Sequence, residues 1–351
     1  MAIFALNLIY LDMKVVVDNK IPYIKESLAK IADEVVYLPG HAFTAEDVRN
    51  ADALIVRTRT QCNRELLQGS KVKFIATATI GYDHIDTEYC KEAGIVWTNC
   101  PGCNAGAVEQ YIHAVLLLLK RDKQLDLKHL CLGVVGVGHV GSRIVEVGKH
   151  FGMKVLLNDP PRADQGEAGF VSLSTLAEEC DIITFHTPLV REGKYKTYHL
   201  ANQALFAQCK RKPVLINSSR GEVVDTAALK TALAQHQLSD AVIDTWEHEP
   251  EIDLDLLEQV FVGTPHIAGY SADGKANATR MALEALCRFF HKEVALQVVP
   301  PALPPQKFSE NAEEAYLQLY NPMNDCDRLR KDPASFEQQR GDYPLRREHI
   351  G

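Results

Sequence analysis

Three polar residues far apart in the chain, Arg220, Glu249 and His266, each sit in a short loop motif that follows an apolar run. The motifs are Asn217-Ser218-Ser219-Arg220-Gly221, Glu247-His248-Glu249-Pro250 and Thr264-Pro265-His266-Ile267-Ala268-Gly269-Tyr270. A guanidinium at a strand end offers a planar, permanently charged fork for a substrate carboxylate and carbonyl. A histidine hydrogen-bonded to a carboxylate keeps one tautomer and exchanges a proton with an alcohol near neutral pH. Chain order alone does not choose that partner, because Glu247 and His248 compete with Glu249 for the place. His113, on a segment rich in leucine, reads as structural.

All three lie behind the loop Gly136-Val137-Gly138-His139-Val140-Gly141, which follows the apolar run Leu130 to Val135 and reads as a turn from buried strand into helix. Gly136 permits the tight turn, Gly138 lets the backbone approach a pyrophosphate, and Gly141 lets helix and strand pack closely. The helix N-terminus offers unpaired N–H groups to the phosphate charge. Asp159 ends the next apolar run, where a carboxylate accepts from the adenosine ribose hydroxyls and repels a 2′-phosphate, so NAD is expected rather than NADP. Arg162 is the residue type that an NADP site uses, and Pro160-Pro161 is expected to turn it away from the ribose. Together these residues point to hydride chemistry on an alcohol.

The elements that must position them alternate along the chain. Lys14 to Asp18 reads as a strand, Tyr23 to Ala32 as an amphipathic helix, and Val35 to Leu38 as a strand stopped by Pro39-Gly40. Ala53 to Val56, Phe74 to Thr77 and Ile95 to Trp97 continue the pattern. A long helix from Ala107 leads to the glycine loop, and Asp181 to Phe185, Val214 to Asn217 and Ala241 to Asp244 are further strands. The alternation predicts an α/β protein with two Rossmann-like, doubly wound parallel-sheet domains and a cleft between them. The expected division is a substrate-binding domain of residues 13–106 and 268–298, an NAD-binding Rossmann domain of 107–267, and a linker with C-terminal dimerisation segment at 299–351.

A chain of 351 residues is long enough for roughly two to three domains. A net charge of -8 argues against a nucleic-acid footprint, which needs clustered excess Lys and Arg. Nine cysteines, an odd number scattered through the chain, are expected to be reduced thiols of a cytoplasmic protein. Cys100-Pro101-Gly102-Cys103 reads as a turn carrying two thiols, since no second Cys pair or His pair follows to make a metal site. No apolar run reaches the roughly 18 residues of a membrane span. Met1 to Asp12 is apolar but lacks the basic region and cleavage site of a signal peptide, and Met13 is an alternative start. Val299 to Pro305 reads as a semi-rigid linker, and the polar tail from Glu310 is expected to be disordered or packed against a second copy of the chain.

The glycine loop, then Asn-x-x-Arg-Gly, Glu-Pro and Pro-His-Ile in that order, resemble the D-2-hydroxyacid dehydrogenase family over residues 13–297. The resemblance implies Arg220 as the substrate-orienting residue, Glu249 as the partner of the imidazole and His266 as the acid/base. Longer runs resemble more closely the branch that oxidises 4-phospho-D-erythronate with NAD in pyridoxine (vitamin B6) biosynthesis. They are Val56-Arg57-Thr58, Ala76 to Gly81, Pro101 to Ala105, Asp159 to Asp164, Thr184 to Leu189 and Pro265 to Tyr270.

By that resemblance Thr58, Thr79 and Tyr270 line the substrate, and Asp159, Thr187, Asp244 and Gly269 contact NAD. The implied reaction passes the C2 hydride to nicotinamide and the C2 hydroxyl proton to His266, giving 2-oxo-3-hydroxy-4-phosphobutanoate. Arg57 is the nearest cation for the 4-phosphate, with Arg346 or Arg347 from the tail of a second copy as a further one. Leu329-Arg330 and Leu345 to Glu348 are similar to a dimerisation segment, which implies a homodimer. Two other readings stand beside this one: a dehydrogenase for glycerate, lactate or 3-phosphoglycerate, and an NAD-sensing binding protein similar to the family's corepressors.

Overall fold

The computed structural model describes residues 13–349, so the leader and start-site expectations, which fall on the first twelve residues, lie outside them. Contacts divide the chain into two units, one ending at Cys103 and resuming over Asp273–Pro301, the other formed by Asn104–Ala272 and the residues from Ala302 on.

The first unit is built on five parallel strands: β1 (Lys14–Asp18), β2 (Glu34–Leu38), β3 (Ala53–Val56), β4 (Phe74–Thr77) and β5 (Val96–Thr98), in the order β2-β1-β3-β4-β5. Its three central strands are apolar almost throughout because both faces are covered. One face packs Val15, Val17, Ile55 and Ala76 against Ala282, Leu283 and Leu286 of helix Ala272–Phe289. The other packs Val16, Leu54, Val56 and Ile75 with Leu66 and Leu67.

The segment read as a helix from Tyr23 to Ala32 makes one helical turn only, Lys25–Leu28. Beyond it the chain tightens, with the N–H groups of Lys30 and Ile31 donating to the carbonyls of Ser27 and Leu28 at 3.1 and 3.0 Å. Tertiary bonds explain the difference. Ser27 Oγ accepts from Gln297 N–H at 2.9 Å, and the N–H groups of Asp33 and Glu34 both reach the Met13 carbonyl to start β2. A short isolated helix is marginal in water and yields to such contacts.

The second unit carries β6 (Cys131–Val135), β7 (Lys154–Asn158), β8 (Ile182–Phe185), β9 (Val214–Asn217), β10 (Asp240–Ile243) and β11 (Val262–Gly263). All pair in parallel, in the order β11-β10-β9-β8-β6-β7. From β6 the chain passes to β7 on one side and then to β8 on the other, so the carboxyl ends of β6 and β8 mark the switch point where such sheets bind ligands. The doubly wound α/β architecture expected from the alternation is therefore the one observed.

The tail is neither structureless nor left over for a second copy to order. Helices Ala312–Leu319, Pro322–Lys331 and Phe336–Gly341 pack on the second unit, with Tyr320 and Cys326 in one of its cores and Leu329 and Phe336 in the other. A polar composition conceals these few apolar anchors. Arg346 completes the docking: it is 4% exposed and donates to Gln110 Oε1 and to the carbonyls of Ala107, Ile267 and Ala268 at 2.6 to 3.3 Å, with its guanidinium 3.5 Å above the Tyr320 ring. The expectation that Arg346 serves a phosphate on another copy is thereby corrected, since its hydrogen-bonding capacity is engaged within its own chain.

Candidate active site

At the carboxyl end of β6, Gly136 adopts φ +84, and a Cβ there would lie 2.8 Å from the His186 carbonyl oxygen. A Cβ on Gly141 would lie 1.9 Å from the Gly136 carbonyl oxygen, whereas one on Gly138 meets nothing within 4 Å. The loop is thus closed behind and open in front. Helix His139–His150 begins there with no side chain capping its first N–H groups, which leaves them directed at whatever occupies the opening. Asp159 braces the loop, Oδ2 accepting from Val137 N–H at 2.8 Å while Oδ1 accepts from Arg162 N–H at 3.3 Å. The Arg162 side chain is held by Glu167 and not merely turned by Pro160-Pro161: its Nε donates to both Glu167 oxygens at 3.1 and 3.0 Å.

Three hydroxyls along the same edge, Thr187 Oγ1, Ser218 Oγ and Thr245 Oγ1, are buried without a hydrogen-bond partner. They stand just past β8, β9 and β10. Buried polar atoms are seldom left unpaired, so orphans at three consecutive strand ends fit a polar ligand laid along the edge. With the open glycine loop and the uncapped helix, the residues present fit NAD. Gly269 packs so closely on Asn104 that a Cβ would sit 2.1 Å from Nδ2.

Beyond β10 and β11 the chemistry concentrates. His266 Nδ1 lies 2.7 Å from Glu249 Oε2. A carboxylate oxygen only accepts, so Nδ1 is the donor, and in the neutral ring that leaves the lone pair on Nε2. Glu249 Oε1 accepts from Trp246 N–H at 2.8 Å, which fixes the carboxylate in turn. Glu247, two residues earlier, serves elsewhere: it pairs with His199 Nε2 at 2.7 Å and accepts from Thr226 N–H at 2.8 Å. The choice that chain order left open is made by these separate partners.

His266 has φ +54, an uncommon conformation for a residue with a side chain. Asp244 imposes it from below. This carboxylate, 1% exposed, accepts from Thr264 Oγ1 at 2.6 Å, Ile267 N–H at 2.8 Å and Ala268 N–H at 3.0 Å, while its own carbonyl accepts from His266 N–H at 2.8 Å. Burial pushes the Asp244 carboxyl upward, opposed by His266 and by these hydrogen bonds. Tyr111 OH donates to Thr264 Oγ1 at 2.9 Å and Trp246 Nε1 donates to the Thr264 carbonyl at 2.9 Å, so the loop is held from three directions. This bracing role of Asp244, Thr264, Trp246 and Tyr111 had no counterpart in the motif reading, because the partners are separated by tens of residues.

Arg220 stands past β9 with Nη1 donating to the Ser219 carbonyl at 2.7 Å and the side chain otherwise exposed. Gly221 explains the Arg-Gly pair: a Cβ there would lie 1.8 Å from the Trp246 carbonyl oxygen. The turn bearing Arg220 is therefore pressed against the turn bearing Glu249. Tyr270, four residues after His266, receives a bond from Arg340 Nη2 at 3.2 Å. The tail thus delivers a guanidinium that is also in electrostatic contact with Glu249, a residue no motif announced.

In the first unit, Thr58 is exposed beside Arg57, whose Nε pairs with the buried Asp18 at 3.2 Å. Thr79 Oγ1 donates to the Gly81 carbonyl at 2.8 Å and lies 2.6 Å from Thr77 Oγ1. Cys100 Sγ donates to the carbonyls of Thr77 and Ala278 at 3.4 and 3.3 Å, and burial pushes its thiol up to about 12.

A sequence model described as "D-isomer specific 2-hydroxyacid dehydrogenase, NAD binding domain" matches residues 113–268. The chain is 60% identical over 338 residues to an erythronate-4-phosphate dehydrogenase of Bacteroides thetaiotaomicron, covering 96% of this chain and 97% of that one. It is 44% identical to the erythronate-4-phosphate dehydrogenase of Porphyromonas gingivalis, covering 96% and 94%. Among solved structures, it is similar to the D-lactate dehydrogenase of Aquifex aeolicus complexed with NAD and lactic acid, with a TM-score of 0.63 and 27% identity over 79% of this chain and 95% of that one. It is also similar to the NAD-bound 3-phosphoglycerate dehydrogenase of Entamoeba histolytica, with a TM-score of 0.65 and 27% identity over 80% and 96%.

Proposed function

Because the chain belongs to the D-isomer-specific 2-hydroxyacid dehydrogenase family, in the group of the erythronate-4-phosphate dehydrogenases, we propose that it oxidises 4-phospho-D-erythronate to 2-oxo-3-hydroxy-4-phosphobutanoate, a step of pyridoxine biosynthesis. The observation that carries the reaction class is the Glu249–His266 pair at the carboxyl edge of a dinucleotide-binding sheet.

Arg220 holds the substrate carboxylate in its planar fork and so orients C2. His266 accepts the C2 hydroxyl proton on Nε2, the nitrogen that Glu249 leaves free. NAD, when bound, supplies the acceptor for the C2 hydride. As the C2–O bond becomes a carbonyl, positive charge develops on the imidazole, and the Glu249 carboxylate stabilises it in place. Gly136, Gly138 and Gly141 hold the pyrophosphate, Asp159 the adenosine ribose, and Thr187, Asp244 and Gly269 the remainder of the dinucleotide.

Tyr270, Thr58 and Thr79 line the substrate, with Arg57 and Arg340 as cations for its anionic groups. The chain works as a cytoplasmic homodimer, a reading supported by the resemblance of its tail to a dimerisation segment. Among the described residues no helix is long and apolar enough to cross a membrane.

The test is a steady-state screen of 4-phosphoerythronate against erythronate, glycerate, lactate and 3-phosphoglycerate, with NAD and NADP, and with 2-oxo acids added as reoxidants. The highest kcat/KM is expected for the phosphorylated four-carbon acid. Preference for an unphosphorylated acid would replace the substrate while keeping the chemistry, and NADH binding without any oxidation would favour a sensor.

A further inference from the structure

Arg162 stands three residues beyond Asp159, where an enzyme that uses NADP places the cation for the 2′-phosphate. Here that cation is already occupied. Nε donates to both oxygens of Glu167, Nη2 closes the same pair, and Nη1 donates to the Val137 carbonyl of the glycine loop at 2.7 Å. The guanidinium carbon also lies 5.1 Å from the centre of the Phe170 ring. Glu167 reaches this position because Gly166 takes φ +90 and turns the chain back, so that Glu167 N–H donates to the Arg162 carbonyl at 3.2 Å. Asp159 and Arg162 then grip the two sides of one residue, the first on Val137 N–H and the second on its C=O.

We propose that Glu167 is a specificity-determining residue for the cofactor: by holding Arg162 it denies a 2′-phosphate its cation. The proposal rests on the NAD-dependent reading above and assigns part of the choice between NAD and NADP to this pair. Arg162 and Glu167 are 38% and 45% exposed, so the pair is screened by water and opens readily. Its effect comes from competition and not from strength. A 2′-phosphate has to displace Glu167 from the fork and bear the repulsion of Asp159, whereas a 2′-hydroxyl leaves Glu167 in place and donates to Asp159. Without the Glu167 carboxylate, the fork is released to make charge-assisted bonds to phosphate.

Calorimetric titration of wild-type protein, Glu167→Gln and the double variant Arg162→Ala/Glu167→Gln with adenosine 2′,5′-bisphosphate and with 5′-AMP tests this, alongside kcat/KM for NADP and NAD. Glu167→Gln is expected to raise bisphosphate affinity relative to AMP about tenfold, and the NADP-to-NAD ratio of kcat/KM similarly, through charge-assisted bonds from the released Arg162. The double variant is expected to lose the gain. An unchanged ratio in Glu167→Gln, or a gain that survives removal of Arg162, would overturn the proposal. Wild-type protein that binds neither nucleotide would overturn the dinucleotide reading and the proposal together.

Discussion

Glu249 Oε2 lies 2.7 Å from His266 Nδ1 while its other oxygen accepts the Trp246 N–H at 2.8 Å. The carboxylate is therefore fixed by a backbone bond before it meets the imidazole, and no side-chain search is needed when charge develops on the ring. Pre-organisation of this kind lets one carboxylate orient a base and stabilise its conjugate acid.

Glu249→Gln tests that division of labour. The amide is nearly isosteric and can still accept from Trp246 N–H, but it brings no negative charge to the ring. A fall in kcat of about 10²-fold or more is expected, in line with losses at positioned acid/base groups, with thermal unfolding little changed. A loss of only a few-fold would mean that His266 does not take the proton in the rate-determining step.

Arg340 is expected to act on binding. It donates to Tyr270 OH at 3.2 Å and to Glu337 Oε1 at 2.6 Å from a side chain that is 21% exposed. Charge-assisted bonds to a ligand are worth about 1.5–3 kcal/mol. Arg340→Ala should accordingly raise KM for the phosphorylated substrate about tenfold or more, with a smaller change in kcat and unchanged NAD affinity by fluorescence titration. An unaltered KM would confine Arg340 to holding the tail.

Arg346 is expected to be structural. Its four acceptors, three of them backbone carbonyls, lie on the helix Ala105–Asp122 and the loop after His266. Hydrogen bonds from a charged donor are worth about 1.5–3 kcal/mol, and leaving buried acceptors without a partner carries a cost of similar size. Arg346→Ala should lower the urea midpoint accordingly and open the tail from Ala312 on to limited proteolysis. Resistance to cleavage equal to wild type would show that the tail docks without it.

Docking of the tail should also depend on pH through His113. Its ring stacks on Tyr316 of the first tail helix, with centroids 4.0 Å apart. Burial, and then the neighbouring His150, push it down to about 4 against the opposing pull of Glu313. An unfolded histidine titrates near 6.5. Above that pH the group is neutral in both states and contributes no pH dependence; between 6.5 and 4 the unfolded chain binds a proton that the folded chain refuses, so stability falls as pH falls. His113→Phe should flatten the decline across this window in urea denaturation series. Equal slopes for both proteins would exclude His113 as a contributor.

The sequence alone determined the alternation of strands and helices, the glycine loop, and the three loop motifs with Arg220, Glu249 and His266. Each of these is written in near neighbours: apolar runs that must be buried on both faces, and glycines where a Cβ would collide, as at Gly141. The helix signals of the tail were present too, in Asn311 ahead of Glu313 and Glu314 and in Asn321-Pro322, but its polar composition gave no sign of where the few apolar anchors would dock.

Tertiary structure decided what depends on partners distant in the chain. Glu249 rather than Glu247 faces the imidazole because His199 and the start of another helix claim Glu247. Arg346 is engaged by its own chain because Gln110 and three carbonyls, from Ala107 to Ala268, are brought within reach of one guanidinium. Periodicity and turn chemistry report which face of an element is buried. The pairing of one polar group with another depends on which loops the folded sheet sets side by side, and no local pattern records that.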